Sequence, residues 1–221
     1  MIILSNYGIK LVQLSKEKIE LVRHWRNSEK IRKYMEFREN ITPEMQQTWF
    51  ERISTTTNDF FFLIEYRKAD VGLINIKNID WNKRCGESGI FIWDDSCLHT
   101  GVSYRAALCQ RDFAFNVLHL DYLTAHILNT NIRSIKYNVK FGFELSKAAY
   151  KESNEEENQL YILTKESYSK NKYKVMELLN EKYSITPPHY TVNLIIYNYV
   201  ICEYSDSMNS HAELYNNKIS A

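Results

Sequence analysis

Residues 98–143 read LHTGVSYRAALCQRDFAFNVLHLDYLTAHILNTNIRSIKYNVKFGF, and their order decides the architecture. A glycine turn at His99, Thr100 and Gly101 leads into a helix from about Val102 to Leu118. A strand from Tyr122 to Leu128 follows, then a second helix that opens on Asn131-x-x-Ser134 and closes in Lys140-Phe141-Gly142-Phe143. A turn that feeds a helix start aims unpaired backbone N–H groups at one point, and the helix dipole makes that point favourable for phosphate. The turn comes just after a strand-like run, Gly89 to Trp93, so it can seat a pyrophosphate-bearing cofactor.

Toward the N-terminus, Ile9 to Leu14 reads as a strand and Glu17 to Trp25 as an amphipathic helix, with Ile19, Val22 and Trp25 on one face. Arg26-Asn27-Ser28 breaks that helix, and Ser28 is expected to cap a short helix through Met35. Thr42-Pro43-Glu44 starts another, since proline suits the first helical position. Phe60 to Tyr66, Val71 to Ile79 and Glu87 to Trp93 read as strands of an antiparallel meander, because their connections are short and polar. Beyond the quoted stretch, Leu145 to Tyr150 and Gln159 to Lys165 are expected to form a hairpin. The class is α/β with a mixed sheet.

Composition narrows the function. The chain has 221 residues, 44% hydrophobic and 25% charged, enough for a real core. A net charge of +1 gives no basic excess for nucleic acid. No run approaches the ~18 apolar residues of a membrane span, and no signal-peptide core follows Met1. Cys85, Cys97, Cys109 and Cys202 lack metal-ligand spacing and read as free thiols, which fits a cytoplasmic protein. The histidines are isolated and read as packing or surface residues, so no metal is expected. Residues 1–166 are expected to form the main domain. Residues 167–221 form an extension of a helix and a strand, Thr191 to Tyr204, that packs on the domain or pairs with a second copy as a homodimer.

The turn, helix, strand, Asn-led helix and Lys-x-Gly-Phe order resembles the acyl-CoA half of the GNAT acetyltransferase superfamily. The resemblance covers roughly Ile9 to Lys165. It implies a mixed, mostly antiparallel central sheet flanked by helices, with acetyl-CoA as co-substrate and N-acetylation as the activity. The superfamily's pyrophosphate loop, Gln/Arg-x-x-Gly-x-Gly/Ala, falls on Leu98, His99, Thr100, Gly101, Val102 and Ser103. Only the middle glycine is kept. Arg105, one turn into the helix, can pair with a cofactor phosphate or stand as an exposed helix arginine. The strand of Ile90, Phe91, Ile92 and Trp93 matches the one whose backbone pairs with the pantetheine arm. Asn131 both caps its helix with Ser134 and matches the family's pantetheine-binding asparagine.

Acetyl transfer to an amine needs a base, a stabilised oxyanion and a leaving thiolate. Glu87, at the start of the cofactor strand, is the expected base, and backbone N–H groups of Ile90 to Trp93 are the expected oxyanion donors. The family's general-acid tyrosine lies four residues before the Lys-x-Gly-Phe glycine, a position held here by Asn138. Asn138 can hydrogen-bond the sulfur without donating a titratable proton. Tyr137, about 100° around the helix, is expected to face elsewhere.

On the acceptor side, Trp25-Arg26-Asn27 resembles the start of GNAT members that acetylate nucleotide-linked amino sugars, such as the enzyme of the pseudaminic acid pathway. It also resembles the ribosomal-protein N-terminal acetyltransferases. Arg26 and Asn27 can reach a phosphate, a sugar hydroxyl or a carboxylate, and Trp25 or Trp49 can stack on a base or sugar. Gln46 stands where both groups carry a histidine. The expected partner is a small-molecule amine, a nucleotide-linked amino sugar before a protein N-terminus. A non-catalytic acyl-CoA-binding scaffold is the third reading.

Overall fold

Near-continuous apolar runs in the central strands of the first half of the chain build a meander whose two faces both carry helices. The computed structural model describes residues 1–146, 158–183, 191–196 and 199–203. The strands are β1 (Ile2–Asn6), β2 (Ile9–Gln13), β3 (Phe60–Tyr66), β4 (Ala69–Asp80), β5 (Cys85–Ile92), β6 (Tyr122–Leu128), β7 (Glu144–Leu145), β8 (Asn158–Thr164), β9 (Thr191–Ile196) and β10 (Tyr199–Glu203). The helices are α1 (Ile19–Asn27), α2 (Glu29–Arg32), α3 (Pro43–Ser54), α4 (Val102–Asp112, prolonged by a wider turn over Phe113–Val117), α5 (Ile132–Lys140) and α6 (Lys165–Tyr183). One sheet runs in the order β10-β9-β1-β2-β3-β4-β5-β6-β8-β7. Pairing is antiparallel except between β5 and β6, where α4 makes the crossover that parallel strands require.

The sheet separates two cores. On one face Phe62, Ile64 and Ile76 pack with Ala106, Ala107, Leu108 and Phe113 of α4 and its extension. On the other face Phe61, Leu63 and Leu73 pack with Ile19 and Val22 of α1 and Ile53 of α3. Successive residues Phe61 to Ile64 thus serve opposite faces, as the two-residue period of a strand demands.

β1 was not expected from the sequence. It is joined to β2 by Tyr7 and Gly8, both at positive φ (52° and 73°), a two-residue hairpin turn. Tyrosine hides that signal, because asparagine or glycine normally fills the first place. Ser28 is the N-cap residue of α2, as expected, but its side chain makes no capping bond. Its hydroxyl donates back to the Trp25 carbonyl at 2.6 Å, closing α1 instead. Thr42 does cap α3, accepting from the Met45 N–H at 3.2 Å. The Thr191–Tyr204 run is two strands rather than one, and β9 continues the sheet beside β1. The Leu145 hairpin pairs Glu144–Leu145 with Tyr161–Ile162, and its expected continuation to Tyr150 lies outside the described residues.

The helix of the extension belongs to the main core. Tyr168, Val175 and Leu179 of α6 are buried in the α4 cluster. Asp112 of α4, 1% exposed, accepts from Tyr7 Oη (2.6 Å), Tyr168 Oη (2.7 Å) and Lys172 Nζ (2.8 Å). A carboxylate so buried is stable only when every lone pair is engaged in this way.

Candidate active site

β5 and β6 pair only through Cys85–Tyr122, Gly86–Leu123 and Glu87–Thr124. Beyond Glu87 the strands part, while β5 keeps its partner β4 as far as Ile92. The opening begins at Ser88, whose hydroxyl reaches across to the Thr124 carbonyl at 3.4 Å. From there β5 presents unpaired backbone groups to a cavity of about 930 Å³. That is near the top of the ~300–1,000 Å³ range of small-molecule sites, so two substrates have room. Ile90, Phe91 and Ile92 line it, as do Asn131, Ser134 and Asn138 of the α5 side. An extended amide-bearing arm can hydrogen-bond in such a gap as an added strand does.

The turn before α4 has the geometry its glycine implies. Gly101 sits at φ 74° as the N-cap of α4, and the first-turn N–H groups have no helical partner. Leu98 and Ser103 line the cavity. His99, Thr100, Gly101 and Val102 form the turn without lining it. Thr100 Oγ1 donates to the Cys97 carbonyl at 2.8 Å, and Val102 is fully buried. Arg105 lies away from the cavity, with Nη1 3.5 Å from the Tyr7 carbonyl and its guanidinium over the Tyr66 ring. Trp93 is also outside. Its N–H is taken by the Val71 carbonyl, and its buried indole stacks on Trp25 at 6.1 Å between centroids. Trp25 is therefore packing, and Asn27 is a staple that exchanges side-chain bonds with Ile41 N and O at 2.8 and 2.9 Å.

Arg26 and Trp49 do face the cavity. Arg26 Nη2 donates to the Phe37 carbonyl at 3.1 Å, while Nη1 is buried without a partner. Burial pulls the Arg26 guanidinium down to about 10, which leaves it charged at neutral pH. Gln46 donates to the Ile19 carbonyl at 3.0 Å.

Glu87 stands where the strands part, in an ion pair with Lys77 at 3.0 Å and 3.6 Å from His126 Nδ1. Burial alone would raise its carboxyl, but His126 and Lys77 prevail and hold it at about 2. Such a carboxylate is a weak proton acceptor. His126 is raised instead, because the Glu87 carboxylate favours its protonated form against partial burial. The histidine read as an isolated surface residue is thus the partner of the expected base. Alternation in β6 places it on the face of Thr124, but only the β5–β6 register brings it to Glu87.

Three further cavity residues escaped the sequence. Asn75 lies opposite Gly89, and its Oδ1 is buried without a partner, free to accept from an amine. A Cβ on Gly89 would come within 3.1 Å of that amide, so glycine keeps the wall open. Tyr137 lines the cavity rather than facing elsewhere. Its hydroxyl donates to the Ser103 carbonyl at 2.9 Å, and burial pushes it up to about 12. Arg111 of α4, 2% exposed, also lines the cavity and donates to Asn138 Oδ1 at 3.4 Å.

The cavity is thus bounded by a strand pair split at a carboxylate, with the glycine-started α4 on one side and the asparagine-capped α5 on the other. A family model described as an acetyltransferase (GNAT) domain matches residues 9–144, and the chain belongs to this family. No curated protein matches it by sequence. Among solved structures it is similar to the spermidine N-acetyltransferase of Vibrio cholerae in complex with CoA and spermine (15% identity, TM-score 0.65, 73% of this chain and 98% of that one). It is also similar to apo FdhC, a nucleotide-linked sugar GNAT (17%, TM-score 0.65, 80% and 98%). A domain from Methanocaldococcus jannaschii is a third relative (22%, TM-score 0.59, 71% and 97%). At these identities the likeness is one of fold.

Proposed function

We propose that this protein transfers acetyl from acetyl-CoA to the primary amine of a nucleotide-linked amino sugar. The carrying observation is the charge of the acceptor wall. Arg26, Lys30, Lys33 and Arg52 line the cavity on the α1–α3 side. Lys30 is paired with Asp95, and Arg52 with Asp59. Arg26 and Lys33 have no carboxylate partner among the described residues, and the acids lining this side are Glu36 and the Asp95 already paired with Lys30. A polycationic acceptor such as spermidine would meet net repulsion there, whereas a nucleoside diphosphate would be attracted. Trp49 offers an aromatic face for a base or sugar ring.

Acetyl-CoA supplies the acetyl group as a thioester. The backbone of Ser88 to Ile92 would hold its arm, and the start of α4 its phosphates. Asn75 Oδ1 orients the acceptor amine through an N–H. His126, fixed by Glu87, takes the proton that the amine loses.

The test is release of free CoA thiol from acetyl-CoA across UDP- and dTDP-linked amino sugars, short peptide N-termini and polyamines. Turnover is expected with a sugar nucleotide and not with polyamines. Turnover only with peptides would replace this acceptor by a protein N-terminus. Bound acetyl-CoA with no turnover on any amine would instead favour a non-catalytic scaffold.

A further inference from the structure

Arg111 poses a physical problem that the proposed reaction resolves. Its guanidinium is buried, yet the neighbouring Asp112 is fully engaged by Lys172 and two tyrosines. Among the described residues no carboxylate pairs with Arg111, and its Nε has no hydrogen-bond partner. Its surroundings are aromatic, with the Phe141 ring 4.0 Å and the Phe143 ring 5.4 Å from the guanidinium carbon. A cation taken from water without a counter-ion costs several kcal/mol. Such a charge is retained where an anion arrives to compensate it.

The position selects the anion. Arg111 lies ten residues beyond Gly101, about 15 Å along α4 from the helix start at 1.5 Å per residue. Diphosphate seated at that start is out of its reach. Arg111 instead touches Asn138, which occupies the place of the family's proton donor, and Asn138 Nδ2 is held by the Ser134 carbonyl at 3.0 Å. Tyr137, the phenol beside it, already donates its hydroxyl hydrogen bond to the Ser103 carbonyl. The groups facing Arg111 are Tyr137 of α5 and Tyr168 of α6, with the Glu87–His126–Lys77 cluster among the lining residues of the same cavity.

We propose that Arg111, held in place by Asn138 Oδ1, stabilises the departing CoA sulfur as a thiolate, so that no general acid is required. This rests on the acetyl-CoA reading above. In the step, the amine nitrogen forms a bond to the thioester carbonyl carbon and the C–S bond breaks. The C–S electron pair stays on sulfur, and the amine proton goes to His126. Arg111 supplies charge and no proton, and the Asn138 amide positions it.

The experiment is a pH titration of the ultraviolet thiolate band of CoA bound to the full-length chain, with the dethio-CoA complex subtracted to remove the protein's own thiols. Binding of both ligands is measured in parallel by calorimetry. A free thiol titrates near ~8.5. Bound CoA is expected to titrate at least about one unit lower, a tenfold larger thiolate fraction below that pH. Arg111→Met should bring the value back, and Arg111→Lys should keep most of the shift. An ordinary thiol value in the wild-type complex overturns the proposal without any variant, while leaving the acetyl-CoA reading intact. A lowered value that persists in a CoA-binding Arg111→Met protein also overturns it. Absence of CoA binding overturns both.

Discussion

The Glu87 carboxylate and the His126 imidazole meet where β5 and β6 part, with Oε2 3.6 Å from Nδ1. In the proposed reaction the pair divides the work of one base between two residues. Glu87, held at about 2, stays anionic, while the hydrogen bond and charge of Glu87 raise His126, which in the proposed reaction is the group that exchanges the proton. His126→Ala should lower kcat about a hundredfold, the ordinary scale of a lost acid–base group. Glu87→Gln should move the rising limb of the kcat/KM–pH profile to lower pH, since His126 then loses the charge that raises it. A limb that stays in place would show that His126 is not the base.

The same pair has a stability signature. A depressed carboxylate contributes stability above its unfolded value and loses it as pH falls through its folded value, here from about 4.5 toward about 2. His126, being raised, contributes below its unfolded value of 6.5 and loses that contribution as pH rises through its folded value. Melting curves across pH should therefore show the largest wild-type advantage over Glu87→Gln between those unfolded values. A difference independent of pH would contradict the pairing.

Arg26→Met should raise KM for a sugar-nucleotide acceptor about tenfold with kcat little changed, a loss of about 1.4 kcal/mol in uniform binding. Its unpartnered Nη1 is the group awaiting an acceptor atom. Steady-state kinetics at saturating acetyl-CoA would check this, and a fall in kcat alone would count against it.

Tyr137→Phe should leave kcat within about twofold, because the hydroxyl is already spent on Ser103. Chemical denaturation should show a loss of about 1 kcal/mol, the net worth of one buried hydrogen bond. A collapse of kcat in a folded variant would restore a tyrosine proton donor.

Gly142→Ala should destabilise by about 2 kcal/mol or more, since φ there is left-handed and the site is closed. Gly142 has φ 96°, and an added Cβ would lie 2.4 Å from Ser167 Oγ and 2.6 Å from Asn171 Nδ2. Urea unfolding gives the number. The clash ties the end of α5 to α6, so the effect should reach the extension as well.

Asp112→Ala should cost about 3–5 kcal/mol by leaving the half-buried Lys172 and the Tyr7 and Tyr168 hydroxyls without their carboxylate. A double-mutant cycle with Lys172→Met would recover part of that loss. Additive effects would mean that the pair is not coupled.

The amino-acid sequence by itself determined the element order from β2 to α5, the cleft-forming stretch and the family to which they belong. Gly101 and Gly142 were legible because a left-handed backbone admits few other residues, and Asn131 because a helix start needs a side-chain acceptor. Trp25, Asn27 and Arg105, candidate ligand contacts by sequence, lie off the cavity lining and engage neighbours within the fold, since a residue's type near a helix end does not reveal which neighbour claims it. Arg105 and Arg111 sit on one helix about 240° apart, so one covers the β1–β2 turn and the other the cleft. Which arginine faced which could be decided only by the way α4 packs on the sheet. His126 and Asn75 became site residues through strand register, which joins positions far apart in the chain and leaves no trace in local periodicity. Local backbone demands are written in the sequence, whereas the charges that meet across a cleft depend on long-range packing.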